Sequence, residues 1–295
     1  MMVSICLQCP RRCSVDRTRT VGFCGAPWEF TVARAALHPW EEPSISGTRG
    51  SGTIFFSGCN LRCVFCQNRD ISRELFGKTV DEDALAALML RLREEGAHNI
   101  NLVTPTPYAK QLIPVLEKVK PTLGIPVVYN CGGYESVETL RALEGLVDVW
   151  LPDFKYFSSD IAARYSAASD YFDVAAMALA EMLRQSGKAR FDVDGLILRG
   201  TVVRHLVLPG QRNDSIALLK ALAERFGTNA FLLSLMSQYT PQFAEKAFPE
   251  LCRRVTTFEY NAVLDTARHL GFEGYFQFRA SATAAYTPDF HQNTF

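Results

Sequence analysis

Nine cysteines stand at positions 6, 9, 13, 24, 59, 63, 66, 131 and 252, and seven of them fall in the first 66 residues. Thiols clustered this way, in a chain with no sign of secretion, suit metal ligation or catalysis better than a disulfide framework. Cys59, Cys63 and Cys66 form a C-x3-C-x2-C run inside Phe55-Phe56-Ser57-Gly58-Cys59-Asn60-Leu61-Arg62-Cys63-Val64-Phe65-Cys66-Gln67-Asn68. An iron–sulfur cubane held by one short loop needs thiolates converging from closely spaced residues, and Gly58 frees the backbone before the first of them. A fully ligated cluster takes four cysteines, so three leave one iron open, and an open position is where a metal does chemistry. Two blander readings compete: three ligands of a zinc site completed by a distant histidine, or cysteines buried by chance. The run directly follows an apolar strand, and functional groups in α/β folds come from that end of a strand, which favours the cluster.

Cys6, Cys9, Cys13 and Cys24 read C-x2-C-x3-C-x10-C, with Pro10, Gly22 and Gly25 as turn residues. Four thiolates this close make a closed tetrahedral site for a structural zinc, or ligate a second, saturated iron–sulfur cluster; the pattern suits both. So short a knuckle cannot bury enough core to fold alone, and a metal would supply its folding free energy.

The elements that must position these residues follow from hydrophobic periodicity. Lys+Arg and Asp+Glu are both 31 in 295 residues, so the net charge is zero and gives no long-range attraction to nucleic acid or an anionic membrane. No apolar run is long enough to span a bilayer, and MMVSICLQCPRRC has no signal-peptide core, so the expected location is the cytoplasm. Four zones are expected: a Cys-rich metal knuckle over 1–30, an irregular connector over 31–52, a βα-alternating body over 53–280 and a C-terminal tail over 281–295. Near-continuous apolar strands are expected at 53–56, 99–104, 126–130, 147–153, 201–208 and 230–236, as in sheets buried on both faces. Amphipathic helices are expected at 81–96, 107–119, 135–144, 173–186, 214–226 and 257–270. Thr79 with Glu82 and Thr256 with Glu259 have capping-box spacing, and Gly96, Gly187 and Gly271 sit where helices end. Strand, helix, strand at this spacing means parallel βαβ units. They can build an open doubly wound sheet or a partial barrel; the expectation is a partial six-stranded, TIM-like (β/α) barrel carrying the knuckle at its N-terminus.

C-x3-C-x2-C with an aromatic before the last cysteine resembles the motif of the radical S-adenosylmethionine (SAM) superfamily. About 240 residues, from near His38 to Phe278, are similar to its pyruvate formate-lyase activating-enzyme-like branch, with EEPSISGTRGSG, TIFFSGC, NLRCVFCQN and MSQY as shared stretches. The resemblance implies a [4Fe–4S] cluster on Cys59, Cys63 and Cys66, with SAM on the open iron. It implies reductive cleavage of SAM to a 5′-deoxyadenosyl radical, with the protein supplying positioning and electronics. The branch implies hydrogen abstraction from a glycine of a partner glycyl radical enzyme and a reduced flavodoxin or ferredoxin-type electron donor. The same chemistry could act on a small molecule or another macromolecule, and a rival of another class is a non-catalytic zinc protein.

The remaining strand ends supply candidate SAM contacts. Arg204, five residues before Pro209-Gly210, matches an arginine of the activating enzymes and could grip a carboxylate through two parallel hydrogen bonds. Asp153 and Lys155 match an Asp-x-Lys element and point the same way in extended chain. Asn130-Cys131-Gly132-Gly133-Tyr134 resembles the family's polar-Gly-aromatic turn; Cys131 is not expected to be a fourth cluster ligand. Thr104 stands in Val-Thr-Pro-Thr-Pro where many members carry Gly-Gly-Glu, and Gln238 in Ser-Gln-Tyr where the simplest activating enzymes carry a histidine. His205 reads as a satisfied strand-end residue, and SGTRGSG precedes a strand, which makes it a poor phosphate loop.

Overall fold

A computed structural model describes residues 5–277 and 290. Among the described residues there are ten strands: β1 Phe30–His38, β2 Ser51–Phe56, β3 Lys78–Val80, β4 Ile100–Val103, β5 Val127–Cys131, β6 Val149–Pro152, β7 Arg190–Phe191, β8 Ile197–Leu206, β9 Leu232–Met236 and β10 Gly274–Phe276. Nine helices lie between them: α1 Pro43–Ser46, α2 Arg69–Ser72, α3 Glu82–Glu94, α4 Ala109–Leu123, α5 Val137–Ala142, α6 Ser159–Ser166, α7 Tyr171–Ser186, α8 Arg212–Phe226 and α9 Thr257–Leu270. The strand order is β10-β9-β8-β6-β5-β4-β2-β1-β3, with β7 folded back on β8.

From β10 to β2 every neighbour on this path is parallel, while β1 and β3 are antiparallel additions. The expected α/β class with a mostly parallel sheet is therefore what the chain adopts. All six expected strands are present, and β10 adds a seventh to the parallel set. The connector is corrected: 31–52 is not irregular, since β1 fills its first part and pairs with β2 from Val32↔Phe56 to His38↔Ser51. Its alternation is masked because Ala33, Ala35 and Ala36 stand where larger apolar residues would make the pattern visible. The tail expected over 281–295 lies, Phe290 apart, outside the described residues, as does Phe278.

Side chains alternate across the sheet with period two, which gives its two faces different neighbours. Ile54, Leu102, Tyr129 and Trp150 pack against Leu85, Leu112, Leu116 and Met182 of α3, α4 and α7. Val203 and Leu233 continue that face against Leu218, Leu222 and Val263 of α8 and α9. A doubly wound sheet would carry helices on both faces. Here the opposite face, with Val128, Val149, Leu151 and Val202, is covered by Ile45 of α1. Ile45 is fully buried, so its truncation to Ala should cost about 2–5 kcal/mol. The segment between β1 and β2 thus runs over this face of the sheet, and it carries Glu41 and Glu42 there.

The helix ends obey local rules, with one correction. Thr256 and Glu259 form the expected capping box, and Gly271 ends α9 in the left-handed conformation. Thr79 does not cap α3: it lies in β3, and Asp81 accepts the Ala84 N–H instead. An aspartate two residues later is as good a cap, and the helix starts from it.

Candidate functional site

The triplet loop leaves β2 through Gly58 at φ 91°, where an added Cβ would meet Ala26 and the Cys24 carbonyl oxygen at 2.8 and 3.0 Å. Both the backbone angle and the space require glycine. Leu61 anchors the loop as a fully buried side chain. The Val64 N–H donates to the Tyr165 carbonyl at 3.0 Å, and Arg73 Nη2 donates to the Arg62 and Cys63 carbonyls at 2.9 and 3.0 Å. Each sulfur accepts a hydrogen bond: Cys59 from the Leu61 N–H at 3.4 Å, Cys63 from Ser166 Oγ at 2.9 Å, and Cys66 from Ser72 Oγ at 3.5 Å.

Burial pushes the Cys59 thiol up to about 12, and the nearby Cys63 and Cys66 push it the same way. Cys66 is raised by burial and by Cys63. Thiols raised in this way would be held as thiolates by a positive metal centre. Among the described residues no three Cys, His, Asp or Glu side chains surround a single-ion position. Thiolates on one zinc must all come within about 2.3 Å of it, whereas in a cubane each takes a different iron and the sulfurs stand wider apart. The donor set and its hydrogen bonds fit a cluster.

The three cysteines line a cavity of about 170 Å³. Thr104, Asn130, Asp153, Lys155, Arg204 and Gln238 line it too, so every candidate contact converges here from the ends of five strands, β4, β5, β6, β8 and β9. Thr104 holds φ 58°, and its N–H donates to the Asn130 carbonyl at 2.8 Å. A β-branched residue there stores about 1–3 kcal/mol of strain, at a position that glycine would occupy freely.

The charged residues form one network. Lys155 Nζ donates to Asp153 Oδ2 at 2.6 Å, and Arg204 Nε to Asp153 Oδ1 at 2.9 Å. Arg204 Nη1 donates to Glu41 Oε2 at 3.3 Å, and Nη2 to Asn130 Oδ1. Burial would raise the Asp153 carboxyl, but Arg204 and Lys155 hold it below the usual range. Burial raises both Glu41 and Glu42 against the pull of Arg204, and Glu42 Oε2 is buried with no hydrogen-bond partner. The guanidinium fork expected to grip a ligand carboxylate is therefore engaged by the chain's own acids. Lys155 has one of its three protons on Asp153, so it is the pocket cation with donors to spare. Glu41 and Glu42 escaped sequence reasoning: their only signal is two adjacent acids in the connector, and Glu41 meets Arg204 across 163 positions. Ser72 and Ser166 escaped for the same reason.

Cys131 borders the cavity, but it packs with the helix-side core. His205 is buried, with Nδ1 2.7 Å from the Phe154 carbonyl oxygen and Nε2 2.9 Å from Ser215 Oγ; burial drops it to about 4, so it is neutral and satisfied. Cys6, Cys9, Cys13 and Cys24 fold into one compact loop. The Cys6 N–H donates to the Val15 carbonyl at 2.9 Å and the Phe23 N–H to Cys13 Sγ at 3.3 Å. All nine cysteines are free thiols. No helix among the described residues is long and apolar enough to cross a membrane.

A parallel α/β sheet with a three-cysteine loop at the end of its first parallel strand defines an enzyme class that works by radical chemistry. The model of the radical SAM superfamily matches residues 53–223, and the chain belongs to that family. Membership implies a [4Fe–4S] cluster and SAM. A relative 31% identical over 270 residues, 89% of this chain and 74% of the other, is an uncharacterized protein, MJ0674, of Methanocaldococcus jannaschii. The fold is similar to methylornithine synthase (PylB), with TM-score 0.51 at 14% identity over 79% of this chain and 68% of that one. It is also similar to Streptococcus suis SuiB bound to S-adenosylmethionine, with TM-score 0.50 at 12% identity over 75% of this chain and 48% of that one.

Proposed function

We propose that this chain reductively cleaves SAM in the cavity between the triplet and the Asp153–Lys155–Arg204 network, and abstracts a hydrogen atom from a glycine of a partner glycyl radical enzyme. The single observation behind this reading is the convergence of Cys59, Cys63 and Cys66 with six strand-end contacts on one cavity. On this reading the sheet curves into the partial (β/α) barrel expected from sequence. Cys59, Cys63 and Cys66 hold the cluster, which when bound supplies the electron that breaks the sulfonium carbon–sulfur bond. Ser72 and Ser166 donate to two of the sulfurs and so tune how readily that electron is given. Lys155, anchored by Asp153, meets the ligand's carboxylate, and Asn130 and Thr104 offer polar contact to its amino group. SuiB, of similar fold, has been captured with S-adenosylmethionine. A flavodoxin or ferredoxin-type protein is the electron donor on this reading, and the chain acts in the cytoplasm.

The test is anaerobic reconstitution, reduction with dithionite and addition of SAM, with 5′-deoxyadenosine and methionine quantified. Product above background that disappears in Cys66→Ala supports the cleavage. Equal product from Cys66→Ala would overturn it. Glycyl activation adds a further demand: a radical on the partner's glycine by EPR. Product without that radical would move the reaction to another substrate.

A further inference from the structure

Beneath the cavity the chain gathers more acids than cations. Among the described residues, Asp153, Glu41 and Glu42 face Arg204 and Lys155. Asp153 meets both cations, and Glu41 meets Arg204 alone. Glu41 is held from three sides: Oε1 accepts from Asn101 Nδ2 at 3.0 Å and Asn130 Nδ2 at 3.4 Å, and Oε2 from Arg204 Nη1 at 3.3 Å. Glu42 is 8% exposed. It is the N-cap residue of α1, where a carboxylate ordinarily accepts an N–H of the first turn. Here it caps nothing: the Ile45 and Ser46 N–H groups bond the Glu42 carbonyl oxygen at 2.8 and 3.0 Å, and Pro43 has no N–H to offer. Glu42 Oε2 and Asn101 Oδ1 are both buried without a donor, so this layer is short of positive charge. The acids cannot swing away, because Ile45 is fully buried in the sheet face and the Tyr275 hydroxyl donates to Ser44 Oγ at 2.6 Å.

Two adjacent buried carboxylates beside one guanidinium do not both ionise; they share a proton. Burial raises Glu41 and Glu42 alike; Arg204 opposes the rise in both, while Asp153 adds to it at Glu41 and Glu41 adds to it at Glu42. From β10 the Tyr275 phenol faces the same layer, and burial keeps it uncharged. With the shared proton, two anions face two cations.

We propose that Glu41 and Glu42 are positioning residues that make the cavity select a ligand of net positive charge, and that their shared proton passes to solvent when that ligand binds. The inference rests on the SAM reading above. SAM carries one net positive charge on its sulfonium, whereas S-adenosylhomocysteine, 5′-deoxyadenosine and methionine are neutral overall. Glu41 and Glu42 act through Arg204: an unmatched guanidinium at the cavity would repel a sulfonium, and the two acids cancel it. Lys155 is then left to meet the ligand's carboxylate.

The experiment uses the full chain loaded anaerobically with its cluster and given no reductant, so that nothing turns over. Calorimetric titration in two buffers of different ionisation heat counts the protons released by SAM and by S-adenosylhomocysteine. SAM should release about one proton more than S-adenosylhomocysteine, and its affinity should rise with pH while that of S-adenosylhomocysteine rises less. Glu42→Gln should abolish the extra proton and lower the preference for SAM over S-adenosylhomocysteine about tenfold. Glu41→Gln should abolish it too, and the wild-type proton count stands by itself if neither variant folds. Equal release by the two ligands, or a preference unchanged in Glu42→Gln, would overturn the proposal and leave SAM binding intact. No SAM binding by the loaded wild type would instead overturn the reading beneath it.

Discussion

The two cysteine loops share one backbone hydrogen bond, from Cys59 to Cys24, yet they are surrounded in opposite ways. Around the triplet, cations are matched inside the protein: Arg204 by Asp153 and Glu41, Lys155 by Asp153. Around the quartet, Arg11 and Arg17 meet only carbonyls and aromatic rings among the described residues. The triplet lines a cavity, while Cys6, Cys9 and Cys24 are buried. A chemical site needs an open coordination position and a preorganised pocket, and its charges must balance before the ligand arrives.

The sharpest break of this contrast is Cys66→Ala, which should reduce 5′-deoxyadenosine formation to background while leaving the quartet's metal content unchanged by elemental analysis. Next comes Arg204→Ala. It strands Glu41 and Glu42 in a buried site and leaves Asp153 only Lys155, and removing one partner from a buried ion cluster costs about 3–5 kcal/mol. Urea denaturation should show that loss whether or not metal is present. Arg17→Ala should differ. It leaves only neutral carbonyls behind, so in metal-free protein the loss should be about 1–3 kcal/mol, with a further loss only when the quartet is loaded. Equal losses in both states would erase the distinction between the loops.

Glu135, in the connection from β5 to α5, adds a pH term. Its carboxyl is buried, accepts from Thr106 Oγ1 at 2.6 Å and has no cation beside it, so burial raises it from 4.5 to about 8. The native state therefore holds a proton that the unfolded chain has already lost. The associated stability is fully present below pH 4.5 and is lost as pH rises through about 8. Each pH unit in that window is worth at most about 1.4 kcal/mol. Denaturation at pH 5 and pH 8 should show wild type losing a few kcal/mol and Glu135→Gln losing much less. Parallel curves would show that Glu135 is ionised in the fold.

What was legible in the sequence was what short spacing or periodicity encodes. The triplet, the quartet, Asp153, Lys155 and Arg204 each sit in a local motif, and the six long strands announce themselves as apolar runs because both their faces are covered. β1 was hidden by its alanines, and α1 and α2 have only four residues each, too few to show a helical period. Glu41 was illegible for another reason. Its meaning lies in Asn101 and Arg204, 60 and 163 positions away, and no local rule reports which connector residue will be folded under a sheet. Thr104 shows the converse: the residue was singled out, but its positive φ is a backbone fact that a threonine gives no hint of.

The smallest effect tests how finely the triplet is tuned. Ser166 Oγ lies 2.9 Å from Cys63 Sγ and 2.7 Å from the Tyr156 hydroxyl, and all three are buried. Ser166→Ala removes one donor to a cluster sulfur and leaves the Tyr156 hydroxyl without that partner, for a stability loss of about 1 kcal/mol. A hydrogen bond to a ligand sulfur stabilises the more negative, reduced state, so its removal should make the cluster harder to reduce. Ser72→Ala, at 3.5 Å from Cys66 Sγ, should act in the same direction but less. A redox titration followed by EPR should place the two variants below wild type in potential, Ser166→Ala lower than Ser72→Ala. A Ser166→Ala potential equal to wild type would mean that this hydroxyl serves Tyr156 and the packing of α6 alone.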